Sequence, residues 1–152
     1  MLSLLSAYHA EITAAASAVT AVSVVFAFWQ LVLAKRIAQL QFEDALAKEY
    51  RDIAAKLPTK VFYGVALDAK EQAALRDEFY RYIDLSNEQV HLRQRRRVSK
   101  AVWKSWREGI KANLSLPAFA TAWKEVKDRT DSFSELRRLE KGRYALDPAH
   151  WR

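Results

Sequence analysis

The hydrophobic pattern of the chain changes at residue 35. Residues 12 to 34 contain no charged side chain, and Lys35 and Arg36 follow at once. At a rise of about 1.5 Å per residue, a helix of this length extends about 34 Å. That length crosses a hydrocarbon core of about 30 Å with modest tilt. The pattern therefore predicts a transmembrane helix over 12–34, preceded by an external N-terminus over 1–11.

A cleaved signal peptide is the alternative interpretation of this apolar run. Residues 1–11 contain no Lys or Arg, whereas a signal peptide begins with a basic region. The run is also longer than the apolar core of a signal peptide, and no small-residue cleavage site ends it. An uncleaved anchor is therefore expected.

The orientation of this anchor follows from the distribution of basic residues. All 25 Lys and Arg residues lie after residue 34. Because basic residues are retained on the cytoplasmic side, the N-terminus should lie outside and the rest of the chain in the cytoplasm. The expected location is the bacterial inner membrane, crossed once.

Beyond residue 34, apolar residues recur every three or four positions, as in amphipathic helices. In a stalk helix over 35–57, the apolar stripe consists of Phe42, Leu46, Tyr50, Ile53 and Leu57. Further helices are predicted at about 68–93, 99–114, 117–128 and 131–141, followed by an irregular tail over 143–152. The predicted fold is all-α, with one N-terminal transmembrane helix continuing into a cytoplasmic helical bundle over 35–142.

Capping residues mark several of these helix starts. Asp68 and Glu71 have the spacing of a capping box, and so do Ser132 and Glu135. Ser99 is a favourable N-cap for the helix over 99–114.

The excess positive charge of the chain is concentrated in one segment. The net charge is +7, and residues 93–111 contain eight basic residues and one acidic residue, Glu108. This segment therefore accounts for the whole excess. Its first part is a cluster of Arg93, Arg95, Arg96, Arg97 and Lys100.

We expect this basic cluster to contact anionic lipid or a neighbouring subunit. The stalk leads away from the membrane and the helix over 68–93 returns over a similar length, which would bring the cluster near the headgroups. Each Lys or Arg near an anionic leaflet contributes about 1 kcal/mol. A solvated basic turn and single-stranded nucleic acid are the alternatives. Nucleic acid is the least favoured, because Trp103 and Trp106 lie on the apolar stripe of their helix.

The chain offers little that resembles an active site. It has no cysteine, no GxSxG and no phosphate-binding glycine loop. Asp84, Glu88 and His91 share one helical face and could hold a divalent metal, but a solvated polar face is the favoured interpretation. Helical ribonucleases of the HEPN type separate Arg and His by four to six residues, whereas nine separate Arg81 from His91. We expect no enzyme, no cofactor and no metal site.

The predicted span is rich in small residues. Such residues let helices approach closely in lipid and assemble. A generic alanine-rich anchor is the alternative. The packing face would consist of Thr13, Ala14, Ser17, Ala18 and Ala21.

Three motifs carry a resemblance to known proteins. They are Tyr82-Ile-Asp84-Leu85-x-x-Glu88-Gln89, Trp103-x-x-Trp106-x-x-Gly109-Ile110 and Pro117-x-Phe119-x-x-x-Trp123. The chain resembles an uncharacterised bacterial family with one N-terminal span and a cytoplasmic helical domain. This architecture is similar to that of the membrane accessory protein of type VI-B CRISPR systems, whose members form ring-shaped oligomers that compromise the membrane.

The resemblance implies a homo-oligomeric membrane effector in bacterial antiviral defence that forms a pore. Its expected partners are membrane lipids, further copies of the chain or another protein of a defence system. The alternative is a non-enzymatic scaffold or accessory subunit of a larger membrane complex.

Overall fold

The structure is a computed structural model. The part of the chain that it describes folds into α-helices joined by loops. That part comprises residues 2–151, with the side chains of residues 20–151, and it contains no β-strand. The predicted all-α fold class is therefore confirmed. The helices are α1 (Leu2–Ala54), α2 (Thr59–Phe62), α3 (Ala69–Ala74), α4 (Arg76–Gln94), α5 (Lys100–Ser115), α6 (Pro117–Arg129) and α7 (Ser134–Lys141), followed by a 3-10 helix (Pro148–His150).

The chain divides into two compact units between Leu40 and Gln41. In the first unit, α1 exposes large apolar side chains, among them Val22, Phe26 and Leu31. The most apolar 18-residue window of the described part of α1 has a mean hydropathy of 1.6, and none of it is buried. This helix is therefore long and apolar enough to span a membrane, and its exposure distinguishes it from a core helix.

The second unit, from Gln41 onward, is a helical bundle arranged around α4. This helix packs against α3, α5, α6, α7 and the 3-10 helix. The centre of the core is aromatic: the Phe119 ring lies 5.0 Å from the Phe79 ring and 4.8 Å from the Tyr82 ring, centroid to centroid. Both pairs are edge-to-face, a favourable geometry for buried rings.

The last turns of α1 belong to this second unit. Leu46 and Ile53 are buried, Phe42 and Tyr50 pack partly buried against the same core, and Leu57 is buried just beyond the helix. The predicted apolar stripe is therefore confirmed. The helix ends at Ala54 rather than at residue 57, and the short helix α2 follows.

The region predicted as one helix over 68–93 consists of two. Asp68 caps α3 through the predicted capping box, in which its carboxylate accepts from the Glu71 backbone N–H at 2.8 Å. The helix is interrupted at Leu75, whose side chain packs against the core, and α4 begins at Arg76.

The capping box predicted at Ser132 and Glu135 is wrong. The N-cap of α7 is Phe133, in the left-handed conformation at φ 66°. Its ring is buried, with its centroid 5.4 Å from that of Tyr80 and 6.4 Å from that of Trp123. Burying this aromatic ring outweighs a left-handed backbone, which costs about 1–2 kcal/mol.

The tail over 143–152 is more ordered than predicted. It contains the 3-10 helix, which begins after Asp147. The Asp147 carboxylate accepts a hydrogen bond from the Ala149 backbone N–H at 3.0 Å and so caps this turn.

Candidate functional site

The predicted basic cluster lies in a tight turn between α4 and α5. The end of α4 forms a Schellman motif, in which the Arg96 N–H donates to the Arg93 carbonyl and the Arg97 N–H to the Leu92 carbonyl, both at 2.9 Å. Arg96 takes the left-handed position at φ 57°, where glycine is usual. The side chains of Arg95, Arg96 and Arg97 are exposed.

Arg93 does not belong to this exposed group, and its assignment to lipid or subunit contact is wrong. Its side chain is buried and forms a bidentate ion pair with Asp147, with Nε to Oδ1 at 2.8 Å and Nη2 to Oδ2 at 2.6 Å. Nη1 donates to the Val98 carbonyl at 2.8 Å. Arg93 therefore joins the end of α4, the turn before α5 and the tail inside the protein.

The electrostatics of Asp147 follow from this pair. The hydrogen bonds from Arg93 hold the pKa of the Asp147 carboxyl below its usual range, against the opposing effect of burial. The carboxylate also accepts from the Ala149 N–H, which favours the charged form further. Asp147 was not predicted, because nothing local in the tail indicates a partner that lies 54 residues earlier.

The basic turn is also joined to α1. The Ser99 backbone N–H donates to Oε1 of Glu43 at 2.6 Å, and Glu43 is buried. Ser99 is the predicted N-cap of α5, and its hydroxyl accepts from the Val102 N–H at 3.3 Å. The N-cap prediction is confirmed, whereas Glu43 was missed because a carboxylate beside an apolar stripe has no local signature.

Basic side chains continue from this turn along α5. We call the exposed and half-exposed cations the basic surface, which consists of Arg95, Arg96, Arg97, Lys100, Lys104, Arg107 and Lys111. Arg107 forms an ion pair with its neighbour Glu108 at 2.8 Å. Arg95, Arg97, Lys100, Lys104 and Lys111 have no ion-pair partner among residues 20–151.

A groove of about 480 Å³ lies at the start of α5. Three cations of the basic surface line it, namely Lys100, Lys104 and Arg107, together with Trp103 and Asp147. Since the Asp147 charge is already paired with Arg93, the groove has an excess of positive charge. It suits a small anionic group such as a phosphate.

The two tryptophans of α5 differ in environment. Trp103 is 2 % exposed and belongs to the core, as predicted, and its indole Nε1 has no hydrogen-bond partner in the described structure. Trp106 is only partly buried and packs at the edge of the core. The Trp103 ring is therefore unavailable for stacking, and the Trp106 ring is only partly accessible.

The acidic face of α4 forms no recognisable metal site. Asp84 and Glu88 are exposed, and His91 Nδ1 lies 3.7 Å from Glu135 Oε1. Among the described side chains, no group of three or more His, Cys, Asp or Glu could hold a metal ion. The expectation that the protein is not an enzyme remains a prediction.

Most of the predicted packing face of the span lies outside the described side chains. This applies to Thr13, Ala14, Ser17 and Ala18. Ala21 is described and exposed, and it lines an open apolar groove with Val25, Phe26 and Trp29, among others.

Comparison of the chain with protein-family models, with curated proteins and with solved structures finds no match. The resemblance carried by the three motifs therefore remains a prediction. The features of the described residues that bear on function are the exposed apolar helix, the basic surface and the cavities of the second unit.

Proposed function

We propose that the protein is a membrane-anchored, non-enzymatic effector whose helical domain is held against the anionic cytoplasmic leaflet by the basic surface. The observation that carries the proposal is the set of unpaired, exposed cations in the turn after α4 and on α5. An exposed apolar helix that is long enough to cross a bilayer precedes this domain in the chain.

The chain length between the apolar run and the basic turn supports this arrangement. Glu43 lies eight residues after Lys35, which directly follows the uncharged run. Even a fully extended chain of eight residues reaches no further than about 28 Å. Because Glu43 accepts the Ser99 N–H, this chain length limits how far the basic turn can lie from the residue at which the uncharged run ends.

The energetic contribution of such contacts is substantial. Each cation near an anionic leaflet contributes about 1 kcal/mol, and the attraction decays over a Debye length of about 8 Å in physiological salt. Arg95, Arg97 and Lys100 would together contribute about 3 kcal/mol at this rate. The groove beside Lys100 offers a place for one headgroup phosphate.

The test measures the distance of the domain from the bilayer in the full chain. Because the chain has no Cys, a single Ala101→Cys substitution in α5 introduces one labelling site. With a fluorophore there and a headgroup-linked quencher, we expect strong quenching in nanodiscs containing phosphatidylglycerol and weaker quenching in pure phosphatidylcholine.

The variant Arg95→Glu/Arg97→Glu should abolish this lipid dependence. Lys70→Glu/Lys124→Glu is the matched control, because it makes the same change in net charge at exposed positions elsewhere. If both double variants were quenched like the wild type, the proposed docking would be wrong.

We further propose that the anchor assembles into a homo-oligomer in the inner membrane. The most specific version of this proposal is that the oligomer forms a pore in antiviral defence. The supporting observation is the uncovered apolar groove at Ala21, Phe26 and Trp29, which a neighbouring span could fill. The small residues predicted to precede it would allow close packing. The defence role rests on the resemblance alone.

Light scattering of the detergent-solubilised protein, corrected for bound detergent, tests this assembly. A closed ring of several copies that releases dye from loaded liposomes would support a pore. Ala21→Phe should reduce the mass, whereas Leu40→Phe, an equally exposed position beyond the apolar run, should not. A monomer without leakage that co-purifies with other proteins would instead favour the alternative, a scaffold or accessory subunit.

A further inference from the structure

A cavity of about 260 Å³ lies in the second unit, bordered by the last turns of α1, α4 and α5. Its lining is mixed in character, with aromatic rings, amides and a glycine. The residues that matter for its chemistry are Tyr50, Tyr82, Gln89, Trp106, Gly109 and Asn113.

Gln89 is the most informative residue of this lining. It is 6 % exposed, and its side-chain amide makes no hydrogen bond to any described residue. Among the described side chains, the only fully buried nitrogen or oxygen atoms without a partner are the indole nitrogens of Trp103 and Trp123, so the Gln89 amide is accessible from the cavity. A largely buried amide that no protein group satisfies is paired by water or by a ligand. In α4, this amide offers one donor and one acceptor side by side at the cavity.

A second polar pair lies on another part of the lining. Asn113 Nδ2 donates to the Tyr82 hydroxyl oxygen at 3.1 Å. Burial raises the pKa of Tyr82 far above its usual range, so this phenol remains neutral. The amide oxygen of Asn113 makes no hydrogen bond within the described residues and remains an acceptor for a ligand.

Gly109 is an exposed residue of the lining, so the cavity opens to solvent beside it. A Cβ atom added at this position would meet no atom within 4 Å. A glycine inside a helix costs about 1 kcal/mol relative to alanine, and at this position it leaves the space beside the backbone unfilled. Trp106 and Tyr50, both only partly buried, provide flat apolar surfaces at the same cavity.

We infer that this cavity binds a purine base or nucleoside. A glutamine amide forms two parallel hydrogen bonds with the donor and acceptor edge of adenine, and aromatic side chains stack on flat heterocycles. Pockets for larger ligands have about 300–1,000 Å³, so the volume suits a single base rather than a dinucleotide or a polymer. The inference is independent of membrane docking, because none of the six residues belongs to the basic surface.

Calorimetric titration of the full chain in detergent with adenosine, guanosine and cytidine tests the inference. We expect a purine nucleoside to bind the wild type at least tenfold more tightly than cytidine. Gln89→Leu should weaken this binding at least tenfold, because the leucine fills similar space without hydrogen bonds. Gly109→Leu should abolish it by covering the opening of the cavity at this exposed position.

Ala112→Leu, at an exposed position of the same helix, is the matched control and should bind like the wild type. Thermal unfolding distinguishes loss of binding from loss of fold. Gln89→Leu removes no hydrogen bond to a described residue, so its unfolding midpoint should not fall. Absence of purine binding at millimolar concentration, equal binding of cytidine, or unchanged binding by Gln89→Leu would each overturn the inference.

Discussion

At the residue scale, the Arg93–Asp147 pair is the main electrostatic link of the helical domain. The Arg93 side chain is 10 % exposed and that of Asp147 is 16 % exposed, so both charges are largely removed from water. A buried pair contributes little compared with an apolar alternative, but removal of one partner leaves an uncompensated charge. The pair therefore holds the tail against the end of α4.

Asp147→Asn should destabilise the domain markedly. The variant leaves the buried guanidinium without its counter-charge, which costs about 3 kcal/mol, the lower end of the range because Asp147 keeps some exposure. Urea unfolding of the full chain in detergent, followed by tryptophan fluorescence, measures the change. Glu108→Gln is the control: it breaks an exposed Arg–carboxylate pair and should leave the unfolding midpoint unchanged.

The same pair predicts a pH dependence. Because the pKa of Asp147 is lower in the folded protein than in the unfolded chain, its stabilising effect is complete above the unfolded value of about 3.9. It is lost as the pH falls through the folded value. The difference in unfolding free energy between wild type and Asp147→Asn should be constant from pH 7 to 5 and shrink below pH 4. A difference that did not vary down to pH 3 would contradict this linkage.

At the element scale, local capping and distant packing both decide where helices begin and end. The Asp68–Glu71 box and the Ser99 cap follow from sequence spacing alone, since each joins residues within one turn. Phe133 shows the opposite case, in which burial of a ring displaces the start of α7 from the predicted capping box. Local and distant contacts both act at the end of α4. Arg96 adopts a left-handed conformation, and hydrogen bonds made by Arg93 and Glu43 hold the turn that contains it in place.

Arg96→Gly should stabilise the domain by about 1 kcal/mol, because glycine adopts the left-handed conformation without a steric penalty. Arg95→Gly is the matched control: it deletes the same charge, but at φ −77° glycine gains nothing and loses backbone entropy. We expect the unfolding midpoint to rise for the first variant and fall for the second. Equal shifts would indicate that charge rather than backbone conformation decides the effect.

At the scale of the whole molecule, the chain combines an exposed apolar helix with a bundle whose positive charge is concentrated on one surface. Over residues 20–34 the helix carries no charged side chain and exposes large apolar ones, as is expected of a segment that faces lipid. The bundle has a buried apolar core. Its distinguishing features are the basic surface and the cavity beside Gln89. The proposed membrane attachment and the proposed ligand binding therefore depend on different residues and can be tested separately.

Val25→Lys should weaken membrane integration of the full chain. Lysine near the centre of a membrane helix raises the apparent insertion free energy by about 2.5–3.5 kcal/mol. The wild-type protein should stay in the membrane pellet after alkaline carbonate extraction, and a larger fraction of the variant should be released. Leu40→Lys, beyond the apolar run, is the control and should behave like the wild type. Complete release of the wild type would exclude a transmembrane anchor.

The sequence by itself determined the features that depend on neighbouring residues. These are the apolar run before Lys35, the helical periodicity after it, the Asp68 and Ser99 caps and the concentration of charge over 93–111. Each can be recognised from residues that lie close together along the chain, without knowledge of how the helices pack.

Only the tertiary structure decided which of the charged and polar residues remain free to act. Arg93 meets Asp147 across 54 residues, Ser99 meets Glu43 across 56, and the Gln89 amide faces a cavity bordered by three helices. Burial and pairing at such separations depend on how whole helices pack. Short-range sequence patterns do not encode that packing, and for this reason a buried arginine and an exposed one look alike in the sequence.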